Sequence, residues 1–354
     1  MIGKNCLQKN NRICPEKLKE IGTELLLAAK LSSEQAHLVI DCFVEADLCG
    51  VHTHGMATLP AHLKKINSGG YNLNPKLNVV KETTSFYVVD ADNAIGVVSA
   101  TFCMEKAISM AKNTGIYTVL CKNANTYGPA FYYPLQAAKR NVIGLTFCNS
   151  PAAMPVWNGK DKLLGTNPFA VAIPSKSNGT IIFDMATSKV AKSKINEARL
   201  SNKKIPDGWA LDEQGNPTTD PIEAIRGLVL PMGGFKGYGL ALTIDVLSGV
   251  ISGASFSNNV GKFYSKDNKG MNVGQTFIVI DPAVVSDNDF LAVMDDYINI
   301  IRNSNAIGDS IIVLPGDNKR RIRDNNLANG IKLENSTIEQ LKECIDEYGL
   351  KISF

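Results

Sequence analysis

The chain has 354 residues, 44% hydrophobic and 20% charged, an ordinary globular composition with enough apolar residues for a large core and two or three lobes. Its 37 basic and 34 acidic residues leave a formal charge of +3, and no basic run exceeds Lys319-Arg320-Arg321-Ile322-Arg323, so nucleic acid is not an expected partner. The eight cysteines, Cys6 to Cys344, form no C-x-x-C pair and read as reduced thiols; the polar stretch 1–12 and the short apolar run at 25–29 carry neither a signal peptide nor a membrane span, so a cytoplasmic location is expected.

The chain opens with helices. A first is predicted to start near Pro15, since proline is tolerated at a first helical position. A second starts at Ser32 or Ser33, where Ser32-x-x-Gln35 resembles a capping box, and Ala36, Val39, Ile40, Phe43 and Val44 follow the helical period up to Gly50. A third is predicted over 55–67, with Leu59, Leu63 and Ile66 on one face and Gly69-Gly70 beyond its end.

From about Val79 short β-branched and aromatic runs alternate with helical ones. Strands are predicted over 86–89, 117–120, 142–148, 169–173, 181–183 and 277–280, and helices over 98–112, 130–140 (which contains Pro134) and 238–251. Beyond Asp281 the pattern gives a helix, a strand over 311–314, a Pro315-Gly316-Asp317 turn and an amphipathic helix over 338–348. The basic run at 319–323 reads as a solvated helix face, with a phosphate-holding patch as the alternative.

Three of the four histidines, His52, His54 and His62, lie within eleven residues. An imidazole acid/base would therefore sit here. His54 is expected beside a helix N-terminus, where the partial positive charge favours a neutral ring; the alternative is a loop histidine bonded to backbone. His62 falls on an apolar stripe and reads as a core histidine, and His37 as structural. His52-x-His54 offers two ligands to a metal, but nothing nearby completes a set, so no metal site is expected. No G-x-G-x-x-G follows a strand and no phosphate-binding P-loop is present, which argues against a Rossmann domain. Gly233-Gly234-Phe235-Lys236-Gly237-Tyr238-Gly239, opening an apolar helix, is either an anion cradle or a close-packing device.

Glu45-Ala46-Asp47-Leu48-Cys49-Gly50-Val51-His52-Thr53-His54-Gly55 resembles the A-D-x-x-G-x-x-S-H-G signature of the malate/L-lactate dehydrogenase family. Ordered matches follow at Leu164-Gly165-Thr166-Asn167-Pro168, Phe183-Asp184-Met185-Ala186-Thr187-Ser188, Ile205-Pro206-Asp207-Gly208-Trp209-Ala210, Pro217-Thr218-Thr219-Asp220-Pro221, Gly234-Phe235-Lys236-Gly237-Tyr238-Gly239-Leu240 and Leu314-Pro315-Gly316-Asp317. The resemblance implies an α/β protein with a non-Rossmann, mixed-sheet cofactor domain. It also implies a helical domain built from both chain ends: residues 1–77 joined by 285–354, around a cofactor- and substrate-binding region at 78–284.

The implied activity is NAD(P)-dependent hydride transfer between nicotinamide and a small 2-hydroxy/2-oxo acid, foremost malate/oxaloacetate, by a homodimer with its site near the subunit interface. The implied cofactor is NAD, with NADP as the other possibility. His54 takes the proton donor/acceptor position, Thr53 a substrate position, and Ser150, Asp184, Met185, Ala186, Thr187, Lys236, Gly316 and Asp317 the cofactor positions. Two departures fall at the substrate. Thr58 stands where many members carry a carboxylate-gripping arginine, and Thr126, within Asn123-Ala124-Asn125-Thr126-Tyr127-Gly128, replaces a second histidine. His52, His62, Lys122 and Tyr127 are candidates to compensate. The alternatives are reduction of another oxo acid or a cyclic imine carboxylate on the same fold, or a catalytically weakened nucleotide-binding dimer.

Overall fold

A computed structural model of the protein describes residues 7–8, 11–265 and 268–354; Cys6 and most of the polar stretch 1–12 lie outside the described residues. The centre is a seven-stranded sheet in the order Ile181–Met185, Phe169–Ile173, Ile143–Cys148, Val273–Ile280, Ile116–Ala124, Phe86–Asp90, Asn78–Glu82. Only Phe86–Asp90 and Ile116–Ala124 pair in parallel, joined by the crossover helix Gly96–Thr114; the other neighbours are antiparallel. The sheet is therefore mixed, as expected, and unlike a doubly wound parallel one. Each predicted strand from 86 to 280 is present, several of them longer than their apolar run.

Val273–Ile280 is the middle strand and is buried on both faces. A short π-helical stretch, Val246–Val250, crosses it closely. Gly274 permits that crossing, because a Cβ there would lie 1.8 Å from the Ser248 carbonyl oxygen. The predicted 238–251 helix is thus Phe235–Asp245 followed by the wider turn. The 130–140 prediction shrinks to Tyr132–Ala138, with Pro134 in the first turn, where a missing N–H costs no helical hydrogen bond.

The helical layer starts with Pro15–Ala28 and Ser33–Leu48. Ser32 Oγ accepts the Gln35 N–H at 3.2 Å, but the buried Gln35 Oε1 has no partner among the described residues, so half of the capping box forms. Leu18, Ile21, Leu25, Val39, Ile40 and Phe43 share one core with Ile331, Leu333, Ile338, Leu341 and Ile345 from the other end of the chain. At about 1.5–3 kcal/mol per fully buried large aliphatic side chain, that shared core ties the two chain ends together.

Three expectations need correction. Residues 311–314 form no strand: Ile311 and Val313 are exposed, and just beyond the segment Pro315 O accepts the Ile182 N–H of the sheet at 2.9 Å. The basic run does lie on a helix, Asp317–Asn329, yet three of its cations, though partly exposed, are engaged by protein groups. Lys319 Nζ lies 3.6 Å from Asp184, Arg320 donates to the Asn178 and Thr180 carbonyls, and Arg323 forks onto Glu45 at 2.6 and 3.2 Å. The third helix begins at Leu59, after two 3-10 turns at His52–His54 and Met56–Thr58.

Candidate active site

Those two turns exist because of Asp47. At the end of Ser33–Leu48 its carboxylate is fully buried; Oδ1 takes His52 Nδ1 at 2.7 Å and Oδ2 the Met56 N–H at 2.7 Å. A side chain bridging nine residues overrides the helical pattern predicted from 55 onward. Gly55 passes between, and a Cβ there would sit about 2.3 Å from the Asp47 carboxylate. Burial pushes the Asp47 carboxyl up, opposed by the His52 and Met56 hydrogen bonds. The hydrogen bond that His52 donates to Asp47 raises His52, against burial and helped by the charges of Asp47 and Glu334. The Asp317–Asn329 helix backs the arrangement, since Asn326 donates to the carbonyls of Asp47 and Leu48 at 3.3 and 3.0 Å.

His54 is therefore not at an α-helix N-terminus; the helix starts five residues later. Its Nδ1 lies 2.8 Å from the Thr53 carbonyl, a contact that fits an Nδ1–H donor and leaves Nε2 as the ring's acceptor. Thr53, His54, Thr58, Thr126 and Ser150 all line one cavity of about 500 Å³. Five residues spread over nearly a hundred positions thus meet at one place. Thr58 Oγ1 donates to Gly55 O at 2.7 Å, and Ser150 is held by Asn167, whose Oδ1 accepts the Ser150 N–H at 3.0 Å. The cavity volume suits a small acid together with part of a larger ligand.

His62 is both what its apolar stripe suggested and part of the cavity. It is 3% exposed, bonded through Nδ1 to the Tyr71 hydroxyl at 2.9 Å, and burial with the nearby Lys65 charge lowers it to about 3, so it is neutral. Of the other candidate compensators, His52 is engaged by Asp47, Lys122 lies 3.8 Å from Asp90, and Tyr127 is buried against Tyr133. Exposed His37 bonds through Nδ1 to the Ser33 carbonyl.

The remaining sequence-selected residues lie outside the cavity lining. Asp184 and Met185 end the edge strand Ile181–Met185. Burial raises the Asp184 carboxyl, with the Lys319 charge, 3.6 Å away, and the Phe131 N–H among the opposing causes. Ala186 leads into Thr187, whose N–H bonds to the carbonyl of cavity-lining Thr166 at 3.1 Å. The Thr187 hydroxyl is fully buried without a partner among the described residues. Gly316 takes φ +101° with Ile182 closely packed on it, and Asp317 accepts the Leu314 N–H at 3.0 Å and pairs with Arg302 at 3.2 Å. Lys236 is exposed at the start of Phe235–Asp245. In that glycine run, Gly237 serves close packing, since a Cβ would come 2.3 Å from Met232 O; Gly233 and Gly234 border a separate cleft beside Trp157.

Sequence reasoning missed Asp47 as the organiser of the loop, Lys319 as the partner of Asp184, and Lys192 and Lys262 as lining residues of the cavity. Asp47 stood in the quoted signature. Nothing in spacing could have linked Lys192 to Lys262.

A mixed antiparallel sheet, a helical layer closed by both chain ends, and a histidine-lined cavity fed by the ordered motifs define a 2-hydroxy acid dehydrogenase built without a Rossmann domain. The chain belongs to the malate/L-lactate dehydrogenase family, whose family model matches residues 13–342. It is 37% identical to the L-sulfolactate dehydrogenase of Methanocaldococcus jannaschii over 343 residues, 96% of this chain and 97% of that one. The solved structure of the M. jannaschii sulfolactate dehydrogenase superposes with a TM-score of 0.90 at 36% identity, covering 96% of this chain and 98% of that one. The malate dehydrogenase of Pyrococcus horikoshii is 35% identical over 350 residues, 96% of each chain, and the NAD(+) ureidoglycolate dehydrogenase of Escherichia coli 37% over 278 residues, 78% of this chain and 79% of that one. The family's dehydrogenases act on small hydroxy acids with nicotinamide cofactors.

Proposed function

We propose that the protein interconverts malate and oxaloacetate with NAD, NADP being the alternative carrier, and that His54 takes and returns the hydroxyl proton. The observation that carries this reading is the convergence of His54 with Thr53, Thr58, Thr126 and Ser150 on one cavity. With Nδ1 committed to the Thr53 carbonyl, Nε2 is the acceptor for a substrate hydroxyl proton. The hydroxyls of Thr53, Thr58 and Thr126 orient the acid by hydrogen bonds. When bound, the nicotinamide accepts the hydride from the alcohol carbon or returns it.

Ser150, the segment Asp184-Met185-Ala186-Thr187, Lys236 and Gly316-Asp317 are the proposed holders of that cofactor. Two features suit them to it: the orphaned buried Thr187 hydroxyl, and Lys236, which has no ion pair among the described residues and is available to a phosphate. We further assign residues 1–77 and 285–354 to one helical unit and 78–284 to cofactor and substrate, with a cytoplasmic homodimer as the working form. The exposed apolar face Phe235, Leu242, Val246 and Val250 supports a subunit contact. Among the described residues no helix is long and apolar enough to cross a membrane.

A second reading, reduction of another oxo acid or a cyclic imine carboxylate, draws on Thr58 and Thr126, the two lining positions where the sequence departs from the pattern it resembles. The test is NADH and NADPH oxidation against oxaloacetate, pyruvate, 2-oxoglutarate, oxalurate and piperideine-2-carboxylate. Fastest turnover is expected with oxaloacetate and NADH; a preference for the cyclic imine replaces the first reading by the second, and silence with every acid removes both.

A further inference from the structure

On the proposed reading the cavity receives an acid, yet at Thr58 its lining offers only a hydroxyl, already donated to the Gly55 carbonyl. We propose that Lys192 and Lys262 form an anion-binding subsite at this cavity that grips a second acidic group of the substrate, carboxylate or sulfonate, supplying the positive charge that Thr58 does not. The inference rests on the hydroxy-acid reading above and adds the residues that select dianionic substrates.

Four observations carry it. First, both lysines line the cavity, and no aspartate or glutamate is among its described lining residues. Second, neither lysine makes an ion pair among the described residues, whereas Lys319, Lys122 and Lys106 each have one. Third, the imidazole of His62 is neutral, so these two ammonium groups are the fixed positive charges among the cavity's described lining residues. Fourth, Lys192 is the first residue of the helix Lys192–Leu200, which starts without a side-chain cap and without an acidic residue in its first turn. A lysine there opposes the helix dipole, so helix stability does not account for it. A local rule broken beside a cavity is what a binding role produces. Burial lowers the Lys192 ammonium, and the neighbouring Lys162 and Lys262 charges lower it further: the pair repels until an anion enters. Two like charges facing one cavity concentrate anions in it and reward a ligand with two negative groups over one with a single group.

The test is calorimetric titration of the full-length protein, with and without NAD, using L-malate, sulfolactate and L-lactate on wild type, Lys192→Gln, Lys262→Gln and the double variant. Wild type is expected to bind the better of the two dianions at least about tenfold more tightly than lactate, the discrimination of roughly one charge-assisted contact. Malate or sulfolactate binding tighter names the second acidic group. Each single variant is expected to narrow the preference, the double variant to abolish it, and Thr58→Arg added to the double variant to restore it. An undiminished preference in the double variant, or no preference in wild type, overturns the subsite. Turnover in the oxo-acid panel is read separately: dianion preference without turnover leaves the subsite standing and removes the dehydrogenase assignment, and turnover with an unchanged preference does the reverse. Lys→Arg replacements keep the charge, so retained preference in them rules out a folding defect.

Discussion

Two walls of the same cavity are built on opposite principles. The His52–Thr58 wall is internally satisfied: the Asp47 carboxylate holds both ends of the loop, Thr53 O holds His54, and Gly55 O holds Thr58. The wall bearing Lys192 and Lys262 leaves its charges without ion pairs among the described residues. A group that moves a proton must be held in one place, and a charge that recognises a soluble anion must stay free to meet it. The difference separates the chemistry from the selectivity, and each wall can be broken without the other.

The largest expected effect is on the satisfied wall. His54→Ala should lower kcat by about 10² or more, the contribution typical of a general acid/base, measured in steady state with the best substrate of the panel. Activity within a few-fold of wild type would sink the assignment of His54. Asp47→Ala leaves the Met56 N–H and His52 without their buried acceptor, so chemical denaturation should report a loss of about 2 kcal/mol. It should also lower kcat roughly tenfold or more through misplacement of the loop, with partial rescue in Asp47→Asn. A loss of stability with unchanged kcat would show that the clamp does not position His54.

Smaller effects sharpen the picture. His52 is raised by its carboxylate partner, so its contribution to stability is fully present below its ordinary value of about 6.5 and fades as pH rises through the raised value. Wild type and His52→Gln should therefore differ most in Tm near pH 5.5 and converge at alkaline pH. Because the imidazole is 45% exposed, the gap is expected to stay within about 1 kcal/mol. Ser32→Ala, far from both walls, should cost about 1 kcal/mol through the lost helix cap and leave kinetics untouched; a kinetic effect would mean that the walls are coupled to the far end of the helical layer.

Much of this was legible in the sequence where local chemistry decides. The start at Pro15, the Ser32 cap and the strands from Phe86 to Ile280 follow from propensity, capping and alternation. The cluster of histidines pointed to a loop that lines the cavity. Where long-range contacts decide, the reading failed. The 55–67 helix lost its first turn to the buried Asp47, the β-branched run Ile311-Ile312-Val313 found no strand partner, and the polar helix Asp317–Asn329 is held by Glu45, Asp184 and backbone carbonyls and carries no apolar stripe. The meeting of Lys192 and Lys262, seventy residues apart, belongs to tertiary structure alone.

The most direct measurement is the fate of the hydride itself. With NADH deuterated at the transferable C4 position and oxaloacetate as acceptor, proton NMR of the product should show malate carrying deuterium at C2, formed by wild type and nearly absent with His54→Ala. Malate without deuterium at C2, or no malate at all, would contradict the account.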